Sequence, residues 1–358
     1  MNDNPMKVIV WSHEIDDLYL NKGLIGGLAI QMRHWAETFV RKEWEVYAPT
    51  YNKSREHNGI KFFRCYKLSI IGTIVEYILA FYYLLSIKPD LILLRGARRQ
   101  LGSVAFFAKL FKIKLVFFGA SDADFKPEEE LISKKISRII YRKGLKNTDY
   151  FVLQNDAQKE LLQKNYGDKK NIIIPNIWTL NNDKQNESER YIDFLWVGNF
   201  RELKRPDWFI RLAEENSDYT FVMVGGGIDG DLFGKCKERA SKCENLKFLG
   251  RMNFDDVNKL FEHTKIYICT SSIEGFPNTF LQSWSNKIPV ITTFDPSNVI
   301  KSNDLGICVD NYDELKNTTR TLIENTSMQE EIKENIAKYF TLSHDADTMY
   351  EKIIDMLK

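Results

Sequence analysis

The sequence predicts an α/β protein of two domains, each built on a mostly parallel sheet. Three observations carry that expectation. Short buried-type strands alternate with helical periods, as in KVIVWS (7–12), LAIQMRHWAETFVRK (28–42) and EVYAPT (45–50), a right-handed βαβ unit. At 358 residues the chain exceeds what one core usually supports. The tract TLNNDKQNESERY (179–191) is polar and aperiodic, as an interdomain linker should be. The expected divisions are residues 1–178, residues 191–343 and a terminal helix over 344–358.

Composition narrows the class. Hydrophobic content of 44% and charged content of 28% suit a soluble globular protein. Five cysteines, at 65, 236, 243, 269 and 308, show no metal-ligand spacing, and Cys269 and Cys308 sit in apolar runs that read as core. No basic stretch followed by an apolar one opens the chain, so a reducing, cytoplasmic setting is expected. Charge is balanced overall but unevenly spread. Residues 1–178 carry 28 Lys and Arg against 19 Asp and Glu, and residues 179–358 carry 22 against 30. A basic first half points to an anionic partner, either lipid headgroups or a phosphate-linked acceptor. The basic residues follow strand ends instead of forming one aromatic-laced groove, which argues against nucleic acid.

In the first half, the loop after KVIVWS ends in Gly26-Gly27, so Gly27 stands at a strand–helix turn. Residues 68–87, LSIIGTIVEYILAFYYLLSI, are almost continuously apolar, but Glu76 interrupts them and KPDLILLRG follows as a turn and a buried strand. The period there favours a buried helix in a βαβ rhythm, with a face touching a bilayer as the alternative. KLVFFGASDADF (114–125) is a strand entering a polar loop with Asp122 and Asp124. Within 133–148, six Lys and Arg alternate with Ile136, Ile139, Ile140 and Leu145, a basic amphipathic helix suited to anionic lipid. YFVLQNDAQKELLQKNYGDKKNIIIPNIW (150–178) reads strand, helix, short strand and closes the first domain.

In the second half, IDFLWVGNF (192–200) is a strand followed at once by Arg201, Lys204 and Arg205, then Pro206 at a helix start. Cations at a strand's carboxyl end beside a helix N-terminus can hold a diphosphate. FVMVGGG (221–227) brings Gly225 to a second such turn, and NLKFLGRM (245–252) brings Arg251 to a third. The most informative stretch is IYICTSSIEGFPNTFLQSWSNKIPVITT (266–293). A buried strand leads into Glu274-Gly275-Phe276-Pro277-Asn278, and Thr279 with Gln282 has capping-box spacing for a short helix. Gly275 permits close backbone approach, and the Glu274 carboxylate could accept bonds from sugar hydroxyls.

The wording Ser-x-x-Glu-Gly-Phe-Pro-Asn-Thr, with an amide eight residues after the Glu and a small-x-Pro-Val strand beyond, resembles the donor site of glycosyltransferase family 4. That resemblance implies the GT-B fold, two Rossmann-like domains facing across a cleft, with the terminal helix returning to the first. It implies a retaining transfer of a hexose-type sugar from a nucleotide diphosphate donor, a UDP-sugar by preference, to a hydroxyl acceptor. The acceptor would be a lipid-linked glycan in surface polysaccharide or glycolipid assembly. Glu274 would then hold the transferred sugar, Gly275 to Thr279 would surround the phosphates and Gln282 would hold the ribose. Lys204 and Arg201 would neutralise the diphosphate, with Gly27, Gly225 and Arg251 also lining the donor. The family's usual His near the reacting sugar is absent, which leaves Asp122 as the candidate at that edge. No metal and no cofactor are expected, since cations and helix N-termini supply the positive charge. The same fold also admits a nucleotide-sugar epimerase or a non-catalytic binding protein.

Overall fold

The computed structural model describes residues 5–20, 26–66, 72–179, 190–227, 229–273 and 276–358. The chain divides into two compact units: residues 1–177 with 346–358, and residues 178–345.

The first unit runs β1 (Lys7–Val10), α1 (Glu14–Tyr19), α2 (Gly27–Arg41), β2 (Glu45–Thr50), β3 (Arg55–His57), β4 (Ile60–Arg64), α3 (Gly72–Ile87) and β5 (Leu91–Arg95). It continues with α4 (Gln100–Phe111), β6 (Lys114–Phe118), α5 (Lys135–Asn147), β7 (Tyr150–Leu153), α6 (Asp156–Tyr166) and β8 (Lys170–Ile173). The strands form one sheet in the order β3-β4-β2-β1-β5-β6-β7-β8, parallel but for the antiparallel β3–β4 pair. Residues of alternating parity serve opposite faces, as strand geometry requires. Val8, Val10, Leu91, Leu93, Val116 and Phe118 pack with Met32, Trp35 and Phe39 of α2. Ile9, Ile92, Leu94, Leu115 and Phe117 pack on the other face with α3, α4 and α5.

The helix α4 lies directly against α5. A Cβ on Gly102 would stand 2.2 Å from Ile140 Cγ2, and one on Gly144 would stand 2.7 Å from Leu101 Cγ. Only glycine allows that approach, and it fixes these two helices as one layer.

Three elements of this unit have no strong sequence signal. The helix α1 occupies part of what reads as a loop, and β3 and β4 extend the sheet edge. Asp16 of α1 is fully buried and accepts bonds from Thr50 Oγ1 at 2.5 Å, Asn52 Nδ2 at 2.7 Å and Arg55 Nε of β3 at 2.8 Å, while β4 pairs with β2 and β3. The apolar stretch 68–87 becomes α3 from Gly72, and residues 67–71 and the Glu76 side chain lie outside the described set. Ala80, Leu84 and Ile87 enter the core. Among the described residues no helix is long and apolar enough to cross a membrane.

The second unit runs β9 (Ile192–Val197), α7 (Pro206–Glu215), β10 (Phe221–Val224), α8 (Gly230–Ala240), β11 (Leu246–Gly250), α9 (Phe254–Glu262) and β12 (Thr264–Cys269). Then follow α10 (Asn278–Ser285), β13 (Val290–Thr292), α11 (Val299–Asn303), β14 (Gly306–Cys308), α12 (Tyr312–Glu324) and α13 (Thr326–Ser343). Its sheet is wholly parallel in the order β11-β10-β9-β12-β13-β14, a doubly wound arrangement. The sequence-expected linker falls largely on residues 180–189, outside the described set. The last helix, α14 (Ala346–Leu357), belongs to the first unit, where Met349, Tyr350, Ile353 and Leu357 join the core and Tyr350 Oη accepts from Trp44 Nε1 at 3.0 Å.

Candidate functional site

In the second sheet, β9 and β12 are neighbours although β10 and β11 lie between them in sequence. Connections leave these two strands in opposite directions, so their carboxyl ends open a crevice where ligands bind in such folds. The loop after β9 carries Arg201, Lys204 and Arg205, and the loop after β12 carries Thr270 to Asn278.

Hydrogen bonds join the two loops. Thr270 Oγ1 donates to Lys204 O at 2.6 Å and accepts from the buried Trp196 Nε1 at 3.0 Å. Ser272 N donates to Leu203 O at 2.7 Å. Arg205 Nε donates to Thr270 O at 2.9 Å, and its Nη2 donates to Thr293 Oγ1 at 3.1 Å. Thr293 Oγ1 in turn donates to Ser271 O at 2.7 Å. The cation loop is thus laced onto the end of the strand that leads to Glu274.

The three cations part company here. Arg205 has φ of 44° where it caps α7, and its guanidinium lies 4.3 Å from the centre of the Trp208 ring, so its hydrogen bonds serve the loop. Arg201 is exposed. Lys204 is half-buried, and burial pulls its ammonium below the ordinary value, with Arg201 adding to the effect and Cys269 opposing it. A lysine held partly out of water near a second cation is poised to gain from an anion.

Glu274 and Gly275 lie outside the described residues. Just beyond them, α10 begins at Asn278 with Pro277 as its N-cap, and no side chain caps it among the described residues. Its first-turn amides lie at the same sheet edge as Lys204. The capping box expected of Thr279 and Gln282 does not form. The N-cap lies two residues earlier, at Pro277, and Gln282 is drawn into the interior, where its Nε2 donates to Asn258 Oδ1 at 2.6 Å. Thr279 stands half-buried in the first turn of α10. Phe276 packs against His344 at 5.3 Å and Trp284 at 6.1 Å between ring centroids, which anchors the far side of the loop.

Gly225 and Arg251 sit at the same edge, on the other side of β9. Gly225 N donates to Gly250 O at 2.9 Å, and a Cβ on Gly225 would stand 1.7 Å from Gly198 O. The Arg251 side chain runs along Gly226, with Cδ 3.7 Å from where a Cβ there would be. The second unit therefore gathers Arg201, Lys204, Gly225, Arg251 and Phe276 to Thr279 on one edge. Gln282 lies beneath that edge.

Two sequence candidates belong to the first unit. Gly27 is the exposed first residue of α2, with Gly26 as an extended N-cap. Asp122 opens a short 3₁₀ turn after β6 and is half-buried. Its neighbour Asp124 is buried and accepts from Ala120 N at 2.7 Å and Ser121 N at 3.1 Å, a local capping box that occupies the carboxylate. Sequence reasoning passes over Thr270, Thr293 and Trp196. Their ties span 66, 88 and 74 residues, and no local pattern marks them.

Residues 179–339 match the family described as Glycosyl transferases group 1. That match covers just under half of the chain. An uncharacterized glycosyltransferase of Methanocaldococcus jannaschii is 26% identical to the chain over 233 residues, 58% of this chain and 56% of that protein. The O-antigen biosynthesis glycosyltransferase WbnH of Escherichia coli is 26% identical over 193 residues, 52% of this chain and 49% of its own. The chain spans about half the length of these curated relatives. A glycosyltransferase from Rickettsia africae superposes with a TM-score of 0.70 at 16% identity, covering 100% of both chains. Anabaena HepE, solved with UDP and glucose, superposes with a TM-score of 0.67 at 15% identity over 98% of this chain and 99% of that one. The two units thus share the GT-B fold with these structures.

Proposed function

We propose that the chain is a retaining glycosyltransferase that moves a hexose-type sugar from a nucleotide diphosphate donor, a UDP-sugar, to a hydroxyl acceptor in surface polysaccharide or glycolipid assembly. One observation carries the donor reading. The loop bearing Lys204 is hydrogen-bonded to the segment that precedes Glu274 and the amides opening α10. Departure of the nucleotide builds negative charge on its β-phosphate, and a cation and amides already held at that edge stabilise the transition state beyond the ground state. Glu274 would hold the sugar, Lys204 and Arg201 the diphosphate, and Gln282 would reach the ribose only by leaving Asn258. Asp122 remains the proposed polar group at the catalytic edge, beside the reacting sugar. The O-antigen role of WbnH and the UDP and glucose bound to the Anabaena structure support the choice of reaction and donor. The setting we infer is cytoplasmic, peripheral on the inner face of a membrane, with residues 133–148 meeting anionic lipid.

A thermal-shift screen of the whole chain against UDP-, GDP- and ADP-sugars tests the donor. Stabilisation by UDP-sugars above the others is expected; none by any of them would end the reading. Incubation with the preferred donor alone, followed by proton NMR, distinguishes a transferase from an epimerase, since only the latter would convert the donor sugar.

A further inference from the structure

We infer that the outer surface of α3, α4 and α5 is a docking face for an anionic lipid bilayer, with α3 and α4 entering the interface and α5 lying along it. This inference does not depend on the donor chemistry. It also extends the membrane contact from α5 to α3 and α4.

The three helices cover one face of the first sheet, and α4 touches both its neighbours. Of the sixteen large apolar side chains exposed among the described residues, eight sit on these helices. On α3 they are Ile78 (59% exposed), Phe81 (42%), Tyr82 (60%) and Leu85 (43%), spaced as one helical stripe. On α4, Phe106 (51%) and Leu110 (60%) continue it, and the Phe81 ring meets Phe107 at 5.4 Å and Phe111 at 5.8 Å across the helix pair. Such a continuous apolar surface is uncommon on a protein that meets only water.

The charge around the stripe selects the partner. Lys88, Lys109 and Lys112 are exposed at the ends of α3 and α4. On α5, Arg138 and Arg142 pair with Glu128, and Arg142 also pairs with Glu130. Lys134, Lys135, Lys143 and Lys146 are exposed and have no carboxylate partner among the described residues. Across the three helices the sequence holds a single carboxylate, Glu76. An apolar stripe rimmed by lysines fits acyl chains below anionic headgroups, where long cationic side chains keep their charge in the polar layer. Two copies of the chain pressed together by this face would bring like charges into contact, which disfavours self-association.

Flotation of the full chain with vesicles tests the inference. Vesicles of phosphatidylcholine with about a quarter phosphatidylglycerol should carry the protein, and phosphatidylcholine alone should carry far less. Part of the binding should survive raised salt, because apolar insertion is not screened. The variant Ile78→Ser/Tyr82→Ser/Phe106→Ser/Leu110→Ser should lose the salt-resistant part by more than about tenfold, with its circular dichroism unchanged. A second variant, Lys135→Glu/Lys143→Glu, should lose the preference for phosphatidylglycerol while its melting temperature holds. Absence of flotation, or equal flotation of the serine variant, overturns the inference. So does a doubled mass in light scattering that the serine variant abolishes without any change in flotation, since the face would then join two copies.

Discussion

The Thr270 hydroxyl and the Lys204 carbonyl lie 2.6 Å apart, and this bond is the shortest of those that join the two loops of the donor edge. Thr270 also receives the Trp196 indole N–H. Thr270→Val keeps the shape of the side chain but removes the acceptor of the buried Trp196 indole N–H and the bond to the Lys204 carbonyl. We expect a loss of about 1–3 kcal/mol, seen as a lower melting temperature, together with weaker nucleoside diphosphate binding as the Lys204 loop loosens. An unchanged melting temperature would show that the bond does not hold the loop.

Lys204→Ala should weaken UDP binding by about 10–100-fold and uridine binding far less, since an ion-assisted bond to phosphate is lost and contacts to the nucleoside are not. Calorimetric titration of the two ligands measures the difference. Equal losses would remove the lysine from the phosphate.

Glu274→Ala should lower turnover by at least about 10²-fold, the scale of losing one oriented group at the reacting centre. The melting temperature should stay where it is. A variant with normal turnover would show that the carboxylate does not touch the sugar.

Gly225→Ala tests the close approach at the second sheet. A methyl group 1.7 Å from the Gly198 carbonyl oxygen cannot be placed without moving one loop. Overpacking of this kind costs about 1–3 kcal/mol or more, and hydrogen exchange should report lost protection in β9 and β10 while β1 and β5 keep theirs. Uniform protection would contradict the crowding.

Acid should destabilise the fold through buried histidine. His34 is fully buried, and burial lowers its pKa from the ordinary 6.5 to about 4, with Arg33 and Arg41 adding to the shift and Glu37 opposing it. His13 falls to about 4 for the same leading reason. A group whose folded pKa is lowered takes up its proton first in the unfolded chain. Stability is therefore complete above pH 6.5 and falls as the pH drops toward 4, by on the order of a few kcal/mol for such a group. Urea midpoints across that range should decline, and His34→Gln should decline less steeply. Identical slopes would place the acid sensitivity elsewhere.

Much of the fold is legible because its strands are continuous apolar runs that admit one reading: Lys7–Val10, Ile192–Val197 and Thr264–Cys269 are of this kind. The elements that escape, α1, β3 and β4, are short; Asp16 of α1 holds Arg55 of β3, and β4 is held by its ladder to β2. Distant partners leave no local period. At the site, glycines and cations after strands are visible as types, but their division of labour is not. That the Arg205 guanidinium serves the loop depends on Thr270 and Thr293, many residues away. The N-cap of α10 is misread by two residues because burial of Gln282 outweighs its capping-box spacing.

The helix α14 has a consequence for biosynthesis. Tyr350, Ile353 and Leu357 complete a core that β1 begins, so the unit started first at the ribosome is finished only after the other has been made. Until residues 346–358 emerge, Phe39, Trp44 and their neighbours lack their cover, and a nascent chain stalled before that point should be a chaperone client. A ribosome-bound series ending on either side of residue 346 should show protease resistance in the first unit only once the tail is out.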